Sequence, residues 1–210
     1  MAGLPLKRLI LRGYNGVTDL TALAGMPLES LHLQNCAAIK NLHGLEGARF
    51  KRLGCYYCTQ LEDISALQGV PLEDLELRGC ASLKSLRGIE SAPLRRLNCE
   101  ACRGLGGDLS VLRACRLNYL QLQNCRSLES LNGLQNQPLV ELNVNGCSGL
   151  TAADRQIMAG IATLAILDTG NKPFDDQVLA AAIVKRKSVS ASPLPGAPNS
   201  NSGEPTPSEK

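Results

Sequence analysis

Two cysteine pairs, Cys55-x-x-Cys58 and Cys99-x-x-Cys102, are the residues of this 210-residue chain whose spacing first suggests chemistry. Paired C-x-x-C motifs are a usual zinc signature, because thiolates three positions apart can share one tetrahedral ion. A reactive thiol is the second possibility, and it needs a base within hydrogen-bond reach. His32 and His43 are the two imidazoles available. The sequence contains no G-x-S-x-G, no phosphate-binding glycine loop and no H-E-x-x-H. Gly104-Leu-Gly-Gly107 lacks the βαβ surroundings of a nucleotide fingerprint.

Which chemistry survives depends on the elements that position these residues. The chain has 37 Leu, no Trp, two Phe and four Tyr, a palette that points to one small unit copied many times rather than to a mixed aromatic core. Units begin at Pro5, Pro27, Arg49, Pro71, Pro93, Arg116 and Pro138, a spacing of 22 with one extra residue in the fifth. Their shared pattern is P-L-x-x-L-x-L-x-x-C-x-x-L-x-x-L-x-G/A-L, and the fourth copy runs from Pro71 to Ile89. Alternation at Leu72, Leu75 and Leu77 predicts a short strand with one buried face. The Gly-Cys that follows turns the chain, and Leu83 and Leu86 anchor the return segment. A 22-residue unit cannot close its own core, so successive units must stack, their strands side by side in a parallel sheet.

Within that frame the zinc reading fails. Cys55 and Cys99 occupy the third strand column, where other units carry Leu or Val. Cys58 and Cys102 belong to a turn column with Cys36, Cys80, Cys125 and Cys147. The two pairs stand two units apart, roughly 10 Å at sheet spacing, too far for bonds of about 2.3 Å to gather them. The turn column instead predicts a structural ladder of small buried thiols, each a weak donor to loop carbonyls. His32 falls on the outward sheet face beside Gly54, and His43 falls on the opposite wall, both away from the ladder. The expectation is therefore a protein with no metal, no cofactor and no catalytic residues.

The strand segment L-x-x-L-x-L-x-x-C-x-x-L resembles the leucine-rich repeat family, in its cysteine-containing form. The short outer segments Thr18-Asp-Leu-Thr-Ala-Leu23 and Glu62-Asp-Ile-Ser-Ala-Leu67 are similar to its 22-residue internalin-like repeats. The resemblance spans residues 5 to about 170. It implies an α/β repeat solenoid: a curved parallel sheet on the concave side, short turns or 3₁₀ turns on the convex side, and usually a protein-binding concave face.

The organisation expected is a lead-in at 1–4, repeats over 5–171 with seven regular units and one atypical unit, a capping helix at 172–187 and a disordered Ser/Pro-rich tail at 188–210. Thr151 to Gly160 reads as a short helix with Thr151 as its N-cap, and Ile161, Leu164 and Ile166 restate the strand pattern once more. The stripe Phe174, Val178, Leu179, Ala182 and Ile183 suits a helix covering the end of the stack. At the other end, Leu6, Leu9 and Leu11 would form an open edge, where a partner or second copy could dock.

Three outward columns line the concave wall. One runs Arg8, Ser30, Arg52, Asp74, Arg96, Tyr119, Glu141; the next Ile10, His32, Gly54, Glu76, Asn98, Gln121, Asn143; the third Arg12, Gln34, Tyr56, Arg78, Glu100, Gln123, Asn145. Tyr and Arg are enriched at binding hot spots, so Tyr56, Tyr57, Arg78, Arg96 and Tyr119 are the expected anchors. The expected function is a non-catalytic scaffold or regulatory subunit that holds another protein there, with no membrane role. The first alternative is a structural component docked through its N-terminal edge. RNA contact through Arg8, Arg12, Arg52 and Arg96 is the second, but charge argues against it. Net charge is +3, and residues 185–210 hold four Lys/Arg against two Glu, leaving 18 against 17 in the rest. Pro5 and early charge are unlike a secretory signal, and nine scattered Cys suggest reduced thiols, so a cytoplasmic or nuclear setting is expected.

Overall fold

A computed structural model describes residues 6–170; the lead-in at 1–4, the expected capping helix at 172–187 and the tail at 188–210 lie outside them. Eight strands follow in chain order: β1 (Arg8–Arg12), β2 (Ser30–Gln34), β3 (Arg52–Tyr56), β4 (Asp74–Glu76), β5 (Arg96–Asn98), β6 (Tyr119–Gln121), β7 (Glu141–Asn143) and β8 (Ile166–Asp168). They form one open sheet in which each strand pairs in parallel with the next. A single leucine column marks the register: Leu9, Leu31, Leu53, Leu75, Leu97, Leu120, Leu142 and Leu167 stand opposite one another from strand to strand. Between β2 and β7 these leucines are at most 2% exposed, and burying one is worth about 2 kcal/mol. Leu6, Leu9 and Leu11, at the β1 edge, are only partly buried. No helix among the described residues is long and apolar enough to cross a membrane.

Each of the first seven strands leads into a left-handed corner. Gly13, Asn35, Tyr57, Gly79, Ala101, Asn124 and Gly146 all have φ between 54° and 77°. The corner N–H donates across to the next unit, as from Asn35 to Tyr56 O (2.8 Å), Tyr57 to Arg78 O (2.7 Å) and Gly79 to Glu100 O (2.8 Å). The backbone reverses direction here without leaving its hydrogen bonds unmade.

On the return side the units alternate, which the 22-residue period does not reveal. The first, third and fifth carry 3₁₀ turns at Thr21–Leu23, Ser65–Leu67 and Ser110–Leu112. An Asp carboxylate starts each by accepting the N–H two residues on: Asp19 from Thr21 (3.0 Å), Asp63 from Ser65 (2.8 Å) and Asp108 from Ser110 (3.0 Å). The second, fourth and sixth place Gly44, Gly88 and Gly133 at φ 101–107° against the start of the preceding 3₁₀ turn. Side chains two residues on, Glu46, Glu90 and Gln135, accept the glycine N–H groups at 2.7–2.8 Å.

In the seventh unit a helix, α1 (Ala152–Gly160), replaces the 3₁₀ turn, with Thr151 at its N-cap. Asp154, 1% exposed, ties it to the sixth unit. Its carboxylate accepts from Leu131 N (2.7 Å), Ser130 Oγ (2.9 Å), Thr151 N (2.8 Å) and Thr151 Oγ1 (3.0 Å). Burial alone would push this carboxyl up; the four donors outweigh it and hold the group below its ordinary value. The helix also shifts the last strand. Ile161 and Leu164 are buried at 1% and 6%, but Ile166, expected to face inward, is 55% exposed. Leu167 takes the inward place opposite Leu142, because the longer return segment moves the register by three residues relative to a regular unit.

Three substitutions test these contacts. Gly88→Ala puts a methyl 2.7 Å from Ile64 O and Ser65 Cα and strains a left-handed backbone, so urea denaturation should show a loss of about 3 kcal/mol. Gly69→Ala, with open space around its Cβ, should lose about 1 kcal/mol. Asp154→Asn should cost about 2 kcal/mol near neutrality. Because the folded value is depressed, the native carboxylate stabilises above about pH 4 and that contribution fades as pH falls through the lowered value. The variant should therefore show a shallower acid limb in a pH–stability profile.

Candidate interaction face

Alternate strand residues point away from the leucine core, so β1–β7 present three polar columns on the exposed sheet face. The register places His32 between Ile10 and Gly54, and Arg52 between Ser30 and Asp74. Gly54 lets two rings approach across it. A Cβ there would stand 2.5 Å from Tyr56 Cε2 and 3.0 Å from His32 Nδ1. His32 and Tyr56 stack with centroids 6.2 Å apart and planes 11° from parallel. Around them a depression of about 300 Å³ is bounded by His32, Arg52, Tyr56, Asp74, Glu76 and Arg96.

The other anchors form pairs as well. Arg78 lies over the Tyr57 ring at 5.8 Å, and Arg96 over Tyr119 at 4.6 Å. Arg78 Nη2 also meets Glu100 at 3.0 Å, and Arg96 Nε stands 3.9 Å from Asp74. Toward β8 the wall consists of amides engaged with acids. Gln121 Nε2 donates to Glu141 (2.6 Å), Asn143 Nδ2 to Asp168 (3.1 Å), and the Asn98 amide oxygen accepts Glu100 N–H (2.8 Å). Gln34 and Gln123 are partly exposed, and Arg12 is exposed at the end of β1.

Charge is uneven along the face. Burial lowers His32, and Arg8 and Arg52 lower it further against the opposing pull of Asp74. Burial raises Glu76, and the neighbouring Asp74 adds to this; Asn98, Arg96 and Arg78 pull the other way. Tyr56 is raised by burial and then by Glu76 and Asp74. After burial, the charges that act on His32 are chiefly those of Arg8 and Arg52, and those that act on Tyr56 are Glu76 and Asp74.

Tyr57 is the feature that column reading could not grade. Its corner holds φ 54°, a conformation costing an ordinary L-residue about 1–2 kcal/mol. Five other units fill this corner with Gly or Asn and one with Ala101. The Tyr57 ring lies on Gly79, where any Cβ would overlap it, yet remains 43% exposed. A departure from Gly/Asn in the ninth column was the available sequence signal.

The thiols lie behind the face. Each turn-column Sγ donates to a carbonyl of the preceding unit: Cys80 to Cys55 O (3.0 Å), Cys102 to Leu77 O (3.1 Å), Cys125 to Cys99 O (3.0 Å) and Cys147 to Leu122 O (3.0 Å), with looser contacts from Cys36 (3.7 Å) and Cys58 (3.8 Å). Cys55 and Cys99 are wholly buried strand residues, and all nine thiols are free. Burial pushes Cys58, Cys115 and Cys147 up to about 11. Among the described residues, no group of three or more His, Cys, Asp or Glu could hold a metal ion. His43, exposed on the return side, pairs with Glu46 at 2.9 Å.

Comparison of the chain with protein-family models, curated proteins and solved structures gives no match.

Tyr57→Asn should relieve the corner while giving up a modest cation–π contact. A net gain of about 0.5 kcal/mol or more in urea denaturation is expected. A loss would mean that the Tyr57 ring serves the fold itself.

Proposed function

We propose that this chain is a non-catalytic protein-interaction module, a leucine-rich-repeat arc whose concave sheet face holds a protein partner. The observation that carries this reading is Tyr57: a large ring kept in a left-handed corner and left 43% exposed. Residues held in strained backbone conformations cluster at functional sites, and Tyr and Arg are enriched among binding hot spots. Tyr57, Arg78, Arg96 and Tyr119 are already arranged in stacked pairs, so docking would cost little further side-chain entropy. A catalytic role finds less support, since raised thiols stay protonated near neutrality and are poor nucleophiles.

The test is affinity capture from native lysate with the full chain and a Tyr57→Asn/Arg78→Glu variant, followed by mass spectrometry. The expected result is partners retained by the parent chain and lost, at least ten-fold by spectral intensity, from a variant whose circular dichroism and Tm show it folded. Identical lists from the two folded proteins would overturn the reading.

A further inference from the structure

The charged groups on the sheet face are unequally committed. Most of its acids are engaged: Glu100 with Arg78, Glu141 with Gln121 and Asp168 with Asn143; Asp74 stands 3.9 Å from Arg96 with its buried Oδ1 unpartnered, and Glu76 feels Asn98, Arg96 and Arg78. At the neighbouring sheet margin the acids are taken by lysines, Glu29 by Lys7 at 2.8 Å and Glu73 by Lys51 at 2.7 Å. Three exposed arginines form no such close pair, although Arg52 also feels Glu29 and Glu73 from a shared depression. Among the described residues Arg8, Arg12 and Arg52 make no ion pair within 4.0 Å. They stand on β1 and β3, within the three five-residue strands of the sheet. No acid occupies any outward position of those strands.

We infer that the face of β1–β3 receives an acidic segment of the protein partner, its carboxylates set among Arg8, Arg12 and Arg52. This rests on the reading of the face as a protein-binding surface, and it names the chemistry of the occupant. Arg8 and Arg12 are four residues apart on one strand, about 13 Å, and Arg8 and Arg52 are two strands apart, about 10 Å. An extended segment rises about 3.3 Å per residue, so acids three or four positions apart reach both. Ser30, between Arg8 and Arg52 in the register, is small and 3% exposed, so the surface between those two guanidinium groups is low, while Ile10, 40% exposed, stands between Arg8 and Arg12. Guanidinium groups bind carboxylates through paired, charge-assisted hydrogen bonds.

His32 couples this binding to protons. It faces Arg8 on β1 and Arg52 on β3, with Asp74 on β4 acting in the opposite sense, the Tyr56 ring stacked beside it, and Glu76 and Arg96 lining the same depression. The two arginines oppose its protonation; partner carboxylates arriving among them reverse that field. The complex therefore holds the His32 proton more tightly than the free chain, and affinity rises as pH falls through the histidine range.

The test uses the full-length chain, ¹⁵N-labelled, titrated with acetylated hexaglutamate, with hexalysine and with a uridine dodecamer as alternative probes. Hexaglutamate should shift amides of β1–β3 while leaving Gln121 and Asn143 in place. Arg52→Gln should weaken it roughly five-fold, and added salt should weaken it further. Binding should be about three-fold tighter at pH 6 than at pH 7.5, and His32→Gln should remove that pH dependence while binding persists. Unmoved β1–β3 amides, or equal shifts with hexalysine, would overturn the inference; shifts there with the uridine oligomer but not hexaglutamate would also overturn it and assign the face to nucleic acid. Unmoved amides in a chain whose partners are still lost on Tyr57→Asn/Arg78→Glu would overturn the acidic occupant alone and leave protein binding standing.

Discussion

No unit of this chain satisfies its own backbone or buries its own leucines, and that dependence on the neighbour governs the rest of the structure. Strand N–H groups, corner N–H groups and turn-column thiols all find acceptors one unit away. The central leucines are shielded by the same stacking. A lateral slip of one residue between units would break all these contacts together, because strand side chains alternate between faces. The 22-residue spacing is therefore held tightly, and where it lengthens, by one residue in the fifth unit and by three at α1, the chain restores the leucine column on the next strand.

Stacking also leaves only the outward positions free to differ. Their chemistry changes along the sheet: arginines on β1 and β3 with no ion pair among the described residues, stacked Arg–Tyr pairs beyond them, and amides hydrogen-bonded to acids near β8. The wall toward β8 is largely satisfied internally. The wall toward β1 carries surplus donors and surplus positive charge, and the depression beside Gly54 is lined by both signs, Arg52 and Arg96 with Asp74 and Glu76.

Much of this was legible because it depends on spacing alone. The repeat junctions placed β1 to β7, the turn column placed six of the thiols, and Thr151 marked the start of α1. Features made by contact between unlike units were hidden. The alternation of return segments needs Gly88 set against Ile64, two residues that a pattern with one shared column treats as equivalent to any other copy. The exposure of Ile166 follows from the extra length of α1, which an alternation count does not include. On the face, residue types in the columns were readable, but the His32–Tyr56 stack and the commitment of each acid depend on side-chain geometry. The strain at Tyr57 was visible only as a departure from Gly and Asn.

The alternation on the return side sets the step by which such an array can change length. Each glycine arm fits against the 3₁₀ start of the unit before it. Removing one unit would bring two like segments together, arm against arm or turn against turn, and lose that fit. Removing or inserting two would restore it. The smallest heritable building block is then a pair of about 44 residues, and duplication by pairs adds strand face two columns at a time.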